Sequence, residues 1–304
     1  SIDVIQVEKS VEKRRWKSML IFRERVDAMV KERFKGQPII IHSHERSISH
    51  QVTTFHGPPI SGGNTLSWIK KLSPRILSWQ LMERHELLSP RVQWVLPVSS
   101  QVRDTLIAEY PDLKAKRIQL GWPGVDGAND HEAKIDRDQT AMCFVFVGKE
   151  WKRKGLRRTI DIVEIMRASN PNVTLDVYGI DPSAVPRIMR KKTGVRYMGW
   201  SSKIPWEKYD VLVHPAENEP FGMVVGEARS YGVPVLVSDR VGAADLAFKG
   251  ISIVPIDAPL NEWVSALNQL LITRDRSREV RWTWDDLVDL HSQTIYPQSE
   301  AEIW

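Results

Sequence analysis

The sequence lacks the features that mark secreted, disulfide-stabilised and membrane-spanning proteins. Its 304 residues include one cysteine, Cys143, which cannot form an internal disulfide and lies in the apolar run AMCFVFVG. A lone cysteine in such a run is typical of a buried thiol in a reducing cytosol. No apolar stretch approaches the ~18 residues that a membrane span needs. The opening residues SIDVIQVEKS contain no signal-peptide core either. We therefore expect a cytoplasmic protein.

Several common site motifs are also missing. The sequence has no Walker-type phosphate loop and no GxGxxG fingerprint, and no DxD-type metal motif stands out. Four of the eight histidines, His42, His44, His50 and His56, fall close together. Their spacing fits no zinc signature, and no cysteine supports one. We predict that the protein has no metal site.

The composition indicates a soluble globular protein with room for two domains. Hydrophobic residues make up 42% and charged residues 27% of the chain, which is ordinary for this class. The net charge of +5 favours anionic partners. The polar stretch 126–140, DGANDHEAKIDRDQT, has the composition of a linker. We place a first domain in residues 1–130, a linker in 131–140 and a second domain in 141–285.

The second half alternates between buried-type strands and helices. Apolar runs predict strands at 141–148, 173–179, 195–198, 210–214, 233–237 and 251–256. Helical spacing predicts helices at 156–166, 183–192, 222–231, 260–273 and 280–290. This order is that of a doubly wound parallel α/β sheet, in which ligands bind beyond the carboxyl ends of the strands.

Two strand-to-helix loops in this half carry charged residues. The stretch 210–222, DVLVHPAENEPFG, presents Glu219 just before a helix, and Glu227 follows two turns later. The loop KEWKRKG presents Arg153 and Lys154 between a strand and the next helix. A helix N-terminus with Arg and Lys beside it can bind a diphosphate. Either motif alone is more commonly a set of solvent-exposed charges without a binding role. Both motifs on one parallel sheet together predict an anion site.

The first half is predicted to be α/β as well. Its predicted elements are strands at 2–7, 38–42, 51–55, 92–98 and 116–120 and helices at 10–35, 65–89 and 99–110. The first helix is either core-packed with a charged outer face or, given Trp16 among basic residues, a surface that meets anionic lipid. His56 ends the third of these strands. It is either a structural turn residue or a hydrogen-bond partner or base that faces a substrate.

These residues carry a likeness to a known family. The second half resembles the retaining GT-B glycosyltransferases of family GT4 (glycosyl transferases group 1), and within them the lipopolysaccharide core glucosyltransferases. Glu219-PFGMVVG-Glu227 fits the family's E-x7-E motif, and VGKEWKRKG fits its diphosphate loop. In the first half, IIIHSHERSISHQVTTFHG places His56 at the family's active-site histidine. WTWDD resembles the start of its closing tail.

The resemblance implies an α/β fold of the GT-B type, in which two Rossmann-like doubly wound domains face a cleft. Residues 286–304 would then be a tail that crosses back to the first domain. The family's first domain opens with a strand and a glycine-rich loop, and no such loop precedes PIIIH. The chain also opens on Ser1 rather than Met. We therefore expect that this chain lacks the opening strands of the first domain.

The resemblance also implies a reaction. It predicts metal-independent, retaining transfer of a sugar from a UDP- or GDP-linked donor to a glycan, lipid-linked or lipopolysaccharide-type acceptor. Attack would come from the same face as the leaving group, with the donor phosphate assisting acceptor deprotonation. The enzyme would be cytoplasmic or peripheral on the inner face of the membrane. It would not bind nucleic acid.

Residue roles follow from the same likeness. Glu219 would contact the donor sugar, Glu227 would hold the ribose hydroxyls, and His56 would face the reacting centre. The catalytic pair would be His56 and Glu219, and the donor-binding set would be Gly148, Arg153, Lys154, Gly199, Trp200, Phe221, Gly222, Met223, Val224 and Glu227.

Three other functions share part of this evidence. A GT-B phosphorylase or epimerase would use the same two-domain cleft, and acceptor dependence would separate it from a transferase. A remnant that binds a sugar nucleotide without turnover is consistent with missing opening strands. A nucleic-acid-binding protein would account for the basic helices, but no recognised binding motif is present.

Overall fold

The computed structural model describes residues 4–7, 10–60, 73–126, 141–273, 275–278 and 280–303. The chain forms two compact units. The first comprises Ser1–Trp122 with Leu287–Trp304, and the second comprises Pro123–Asp286. The first unit thus ends at Trp122, earlier than the predicted boundary at residue 130. The predicted linker 131–140 lies outside the described residues.

A four-stranded parallel sheet forms the centre of the first unit. The strands of this unit are β1 (Pro38–Ile39), β2 (His42–Ser43), β3 (Val52–Phe55), β4 (Trp94–Pro97), β5 (Arg117–Ile118) and, from the chain's end, β12 (Glu302–Ile303). The sheet order is β2-β3-β4-β5, with every pair parallel. β1 pairs antiparallel with β12, so the returning end of the chain is part of this unit. The expected absence of the family's opening strands stays a prediction.

Three α-helices accompany these strands in the described residues of the first unit. They are α1 (Arg15–Arg33), α2 (Pro74–Leu88) and α3 (Ser100–Glu109). α2 and α3 begin at Ser73 and Ser99, whose side chains accept hydrogen bonds from backbone N–H groups of the first turn. The helix predicted at 65–89 is described from residue 73 onward.

The start of this unit differs from its predicted pattern. Residues 4–7 form no strand and are largely exposed, and the apolar run 38–42 forms two short strands that are only partly buried. Helix α1, predicted to be either core-packed or a surface that meets lipid, is partly buried: Val30 is buried, whereas Phe22 is exposed. The apolar residues of these segments were therefore not sufficient to specify buried strands.

The second unit contains a six-stranded parallel sheet. Its strands are β6 (Met142–Val147), β7 (Val173–Tyr178), β8 (Val195–Gly199), β9 (Val211–His214), β10 (Val235–Ser238) and β11 (Ile251–Val254). Its helices are α4 (Leu156–Ser169), α5 (Arg187–Arg190), α6 (Met223–Ser230) and α7 (Leu260–Thr273), and α8 (Trp284–Asp289) spans the boundary at which the chain returns to the first unit. The sheet order is β11-β10-β9-β6-β7-β8. The predicted doubly wound parallel sheet is confirmed for this unit.

The strand order locates the ligand crevice of the second unit. β6 and β9 are neighbours at the centre of the sheet, with Phe144 opposite Val211 and Val145 opposite Leu212. The chain runs outward from β6 to β7 and β8 on one side and from β9 to β10 and β11 on the other. Such a reversal is the topological switch point at which open α/β sheets bind ligands. The loops after β6 and β9 therefore meet at the position that ligands favour.

A hydrophobic core holds this sheet against its helices. Phe144 and Phe146 of β6 are fully buried, as are Leu156 of α4 and Trp263 of α7. Burying one such side chain stabilises a fold by about 1.5–3 kcal/mol. This packed core fixes the position of β6, and with it the start of the loop after β6 at the switch point.

In the part of the chain that the structure describes, no helix has both the length and the apolar character needed to span a membrane.

Candidate functional site

The loops after β6 and β9 are joined through their backbones. The Glu217 N–H donates to the Arg153 carbonyl oxygen at 2.8 Å. Gly155, with φ of 79°, lies directly against Pro215, and a Cβ at this position would overlap the Pro215 carbonyl oxygen. Only glycine accepts both this φ and this approach. The contact brings the basic loop beside the acidic one.

Lys154 and Glu219 form an ion pair in this contact. Lys154 Nζ lies 2.8 Å from Glu219 Oε2, and Arg153 Nη1 lies 3.5 Å from the same oxygen. The aliphatic part of Lys154 crosses Gly148, where a Cβ would overlap its Cδ atom. Gly148, which follows β6, has no side chain in this space, and the Lys154 side chain can therefore extend across it to Glu219.

Arg153 has further partners within the protein. Its Nε and Nη2 atoms donate to Glu150 Oε2 at 2.9 and 2.6 Å, and Nη1 also donates to the Asn218 carbonyl oxygen. The side chains of Arg153 and Lys154 are 35% and 19% exposed. An anion from solvent can thus reach both cations, and it would compete with Glu150 and Glu219 for them.

Glu219 is buried and ionised. Burial alone would raise the pKa of its carboxyl, but the nearby His214 ring and the Lys154 ammonium outweigh that effect and lower the pKa to about 2. The backbone of Glu219 is bonded on both sides, because its N–H donates to the Arg240 carbonyl and its carbonyl accepts from the Gly242 N–H. The carboxylate is therefore held in place by backbone and charge together.

Helix α6 begins beside this carboxylate. Gly222, with φ of 93°, precedes Met223, and no side chain caps the helix start. A Cβ at Gly222 would come within 3.1 Å of Glu219 Cγ. Phe221 and Val224 are buried, which fixes the start of the helix in the unit. N–H groups of the first turn lack intrahelical partners and carry partial positive charge, as anion binding requires.

Glu227 belongs to the same neighbourhood. It is half-buried on α6, and burial raises the pKa of its carboxyl while the Lys154 charge opposes the rise. Lys154 thus acts electrostatically on both glutamates of the predicted motif. The structure brings together Gly148, Arg153, Lys154, Glu219, Phe221, Gly222, Met223, Val224 and Glu227 around the loops of β6 and β9.

Two predicted donor residues lie elsewhere in the unit. Gly199 ends β8, the outermost strand on its side of the sheet, and Trp200 follows it. The Gly199 carbonyl accepts from the Gly179 N–H at 2.7 Å, which ties this end of β8 to β7. Trp200 is 81% exposed. No hydrogen bond or ion pair among the described residues links these two to Glu219, so their donor-binding role stays a prediction.

His56 lies in the first unit, in a group that we call the histidine cluster (His42, His44, His56 and His291). His44 Nδ1 and His56 Nε2 are 3.1 Å apart, and the rings of His42 and His44 stack at 4.6 Å between centroids. His291 meets His42 edge-on at 4.7 Å. His56 itself is exposed, directly after β3. One of the two nitrogens, His44 Nδ1 and His56 Nε2, donates to the other, so the tautomers of His44 and His56 are coupled.

Burial keeps the histidine cluster neutral. It lowers the pKa of His56, and it lowers that of His42 to about 3, where the neighbouring histidines add to the effect. His42 is also fixed by hydrogen bonds to Thr54 Oγ1 at 2.8 Å and to Tyr296 Oη at 2.9 Å. His50 is not a member, because it is buried against the Glu86 carbonyl at 2.9 Å.

Across the described ranges, no group of three or more His, Cys, Asp or Glu side chains is arranged to hold a metal ion.

Sequence reasoning missed four residues that build these sites. Gly155 makes the contact between the two loops, and Glu150 holds Arg153. His214 ends β9 against Glu219, and Tyr296 returns from the end of the chain to His42. A polar residue at the end of the buried strand VLVH was a readable signal for His214. The other three depend on contacts that spacing does not predict.

The chain is similar to known proteins over its second unit and beyond it. Residues 141–273 match the family model described as glycosyl transferases group 1. The alpha-maltose-1-phosphate synthase of Mycolicibacterium smegmatis is 26% identical over 217 residues, which cover 61% of this chain and 55% of that protein. The chain spans about half the length of the curated relatives it matches.

Solved structures match nearly the whole chain. The structure of WaaG, a glycosyltransferase involved in lipopolysaccharide biosynthesis, covers 95% of this chain and 82% of its own, with a TM-score of 0.72 at 17% identity. HepE of Anabaena, in complex with UDP and glucose, covers 93% and 76%, with a TM-score of 0.59 at 16% identity. The predicted GT-B fold is confirmed.

Proposed function

We propose that this chain, which has the GT-B fold and matches glycosyl transferases group 1 over residues 141–273, is a retaining glycosyltransferase that uses a nucleotide diphosphate sugar. The observation that carries the proposal is the meeting of Arg153, Lys154 and Glu219 with the start of α6 at the switch point of the second unit. The two cations and the helix N–H groups can bind a diphosphate, and the ionised carboxylate can accept a hydrogen bond from a sugar hydroxyl. The complex of HepE with UDP and glucose supports a UDP-linked donor.

The donor site would act by stabilising charge on the leaving group. As the bond between the sugar and the diphosphate breaks, negative charge grows on the diphosphate oxygens. Arg153, Lys154 and the N–H groups of Met223 and Val224 would receive it. Preorganised donors of this kind are commonly worth ~3–4 kcal/mol each. With this charge neutralised by the protein, the proposed reaction needs no metal ion.

Carboxylates and small residues would orient the rest of the donor. Glu219 would accept a hydrogen bond from a sugar hydroxyl, and Glu227 would accept from the ribose hydroxyls. Gly148 and Gly222 would let the backbone approach the phosphates. We assign Gly199 and Trp200 to the nucleotide end, where the exposed indole could stack on a base.

Transfer would proceed with retention. The acceptor oxygen forms a bond to the anomeric carbon on the face from which the diphosphate leaves, and the acceptor proton passes to a diphosphate oxygen. No carboxylate nucleophile is invoked. His56, neutral and exposed in the first unit, would serve either as a hydrogen-bond partner of the acceptor hydroxyl or, in place of the diphosphate, as the base that takes its proton.

The acceptor would be a glycan, a lipid-linked sugar or a lipopolysaccharide-type glycolipid, met in the cytoplasm or at its membrane. Helix α1 supports the membrane part, since Lys17 lies over the Trp16 ring at 5.4 Å and the neighbouring Arg15 is exposed. Such a basic face with an aromatic residue binds anionic lipid surfaces. The protein should float with phosphatidylglycerol vesicles at low salt but not with phosphatidylcholine vesicles. Binding that ignores lipid charge or persists after changing Arg15 and Lys17 to Gln would contradict this part.

A thermal-shift screen of UDP-, GDP-, ADP- and dTDP-sugars tests the donor site, since a ligand of the native state raises its stability. We expect one nucleotide class to raise the melting temperature of the wild type and of Lys152→Ala, but not of Arg153→Ala. Lys152 is the matched control because it is an exposed cation of the same loop, lying over the Trp151 ring. No shift with any sugar nucleotide would contradict the donor site.

Product analysis then separates the alternatives. Transfer that requires an acceptor glycan supports the proposal, and retention appears in the anomeric configuration of the product. Release of sugar phosphate would identify a phosphorylase, and an isomerised sugar would identify an epimerase. Donor binding without any turnover would identify a binding remnant. Undiminished transfer after chelation of metal ions is expected.

A further inference from the structure

His214 is a buried polar residue to which the proposed reaction gives no role. It ends β9, the central strand that leads into the Glu219 loop, and its side chain is 0% exposed. Neither ring nitrogen has a hydrogen-bond partner within the described part of the chain. A buried polar group without a partner costs stability, about 1–3 kcal/mol for a typical donor or acceptor. Such a cost at the ligand crevice points to a function for the ring.

The ring is directed at Glu219. His214 Nε2 lies 3.5 Å from Glu219 Oε2, which is the oxygen that Lys154 and Arg153 share. This distance is just beyond a good hydrogen bond. On its other side the ring approaches Phe146, at 6.2 Å between centroids. Burial lowers the pKa of His214, so the ring is neutral and carries one N–H.

The proposed donor would disturb the ion pairs of Glu219. Lys154 and Arg153 neutralise its carboxylate, yet both are also the groups that a diphosphate would engage. When Lys154 and Arg153 bind the diphosphate instead, the Glu219 carboxylate would remain buried with less positive charge near it. An uncompensated buried carboxylate takes up a proton and can then no longer accept from a sugar hydroxyl in the same way.

We propose that His214 is a positioning residue that donates its Nε2–H to the Glu219 carboxylate when the donor diphosphate draws Lys154 and Arg153 away. The hydrogen bond holds Glu219 ionised and aligned with the donor sugar. The buried ring already helps to lower the Glu219 pKa from 3.5 Å, and it would close to a full hydrogen bond when the ion pairs are exchanged. This inference rests on the proposed function of the same site.

Other charged groups near Glu219 cannot fill this role. Lys154 and Arg153 come from the loop after β6 and are the groups withdrawn, and Glu150 faces Arg153. From the loop after β10, Arg240 contributes its backbone carbonyl, which accepts the Glu219 N–H. Glu227 of α6 is an acid. His214 alone among these residues presents a buried neutral donor to the carboxylate.

The test compares His214→Leu, which has no donor, with His214→Gln, whose amide nitrogen can reach the position of Nε2. Both should fold, and His214→Leu should melt at or above the wild-type temperature because two buried unpartnered nitrogens are removed. In steady-state transfer assays we expect His214→Leu to lower kcat about 10- to 100-fold, the size of a lost hydrogen bond to a charged group. The donor KM should change less than about twofold, and His214→Gln should restore most of kcat.

The pH profile distinguishes positioning from a structural role. Without the hydrogen bond Glu219 protonates more readily, so the acidic limb of kcat should move to higher pH in His214→Leu and return in His214→Gln. An unchanged profile and kcat in His214→Leu, or no rescue by Gln, would overturn the inference.

A measurement that needs no turnover separates this inference from the proposed function. Carboxyl carbons of glutamate are followed by NMR during acid titration, with Glu219→Gln identifying the Glu219 signal and inorganic pyrophosphate as the anion probe. The Glu219 pKa should be higher in His214→Leu than in the wild type, and pyrophosphate should widen the gap. Equal pKa values in both proteins overturn the role of His214. A gap that pyrophosphate leaves unchanged, with no pyrophosphate bound, counts instead against the donor site.

Discussion

Two buried glutamates, Glu86 of the first unit and Glu219 of the second, respond to burial in opposite ways. In the first unit burial prevails at Glu86 and at His42: it raises the pKa of Glu86 to about 7 and lowers that of His42 to about 3, so burial favours the neutral form of each. At Glu219 the partners prevail, because Glu219 is also buried but has a pKa of about 2. The difference lies in distance. Lys154 is 2.8 Å from Glu219, whereas the nearest Arg46 nitrogen to Glu86 is 3.9 Å away.

The comparison shows that the Glu219 site stabilises a charged carboxylate, whereas burial at Glu86 and in the histidine cluster favours the neutral forms. A charged site suits the binding of a diphosphate and the stabilisation of a leaving group. A neutral histidine cluster suits proton acceptance or hydrogen bonding to an uncharged hydroxyl. Four predictions test this division, and their expected effects decrease in order.

Removing the imidazole of His56 should have the largest effect if the neutral cluster takes part in transfer. We expect His56→Ala to lower kcat by about 10²–10⁴, the usual range for a general acid or base. Because burial lowers the pKa of His56, its base form prevails at neutral pH. The wild-type rate should therefore be flat above pH 6.5 and fall only in acid. His85→Ala, at an exposed histidine outside the cluster, should behave like the wild type in the same assay.

Removing one cation from the charged site should cost nearly as much. Arg153→Ala is expected to lower kcat/KM by about 10²–10³, as for one lost donor to a leaving group. Lys152→Ala, from the same loop, should leave the rate within about twofold. Equal effects of the two substitutions would show that general positive charge, rather than the Arg153 geometry, carries the donor site.

Gly155→Ala tests whether the contact between the two loops depends on this glycine. The new Cβ would overlap the Pro215 carbonyl oxygen in addition to straining a φ of 79°. We expect a loss of about 2–3 kcal/mol in unfolding free energy, measured by urea denaturation, and loss of donor binding. Gly36→Ala is the matched control, since its φ is 74° but nothing lies within 4 Å. It should lose only about 1 kcal/mol.

The smallest effects should appear as opposite pH dependences of stability. The folded pKa of Glu86 is raised, so its cost is absent below pH 4.5 and grows as pH rises towards 7. Glu86→Gln should therefore stabilise the protein by about 1–3 kcal/mol at pH 8 and hardly at pH 4.5. The folded pKa of Glu219 is lowered, so its contribution is present above pH 4.5 and is lost as pH falls towards 2.

Accordingly, Glu219→Gln should destabilise the protein at pH 7 by about 1–3 kcal/mol and less in acid. Unfolding midpoints in urea between pH 3 and 8 measure both variants. The same sign for both substitutions at neutral pH would refute the contrast between the units.

Much of the second unit was predictable because its signals are local. Each strand is an apolar run, α7 was predicted with the bounds that the structure shows, and Arg153, Lys154 and Glu219 stand in loops directly after strands. Parallel strands place such loops at one edge of a sheet, so spacing alone predicted a common anion site.

The first unit was less predictable because its edges depend on neighbours. The run PIIIH reads as one buried strand, yet it became two short, partly buried strands. Helix α1 was predicted to be either core-packed or a surface that meets lipid, and the structure shows it only partly buried, with Val30 covered and Phe22 exposed. In the second unit, the donor role of Trp200, which follows the outermost strand and is exposed, stays a prediction.

By itself the sequence determined which charged residues follow the strands as candidates for an anion site and on which kind of sheet they stand, because these features follow from chemistry and periodicity along the chain. Only the tertiary structure decided how those residues are paired. Gly155 against Pro215, Lys154 along Gly148 and the buried ring of His214 beside Glu219 are contacts between distant segments. Their geometry depends on which strands are neighbours, and that order is set by packing of the whole unit.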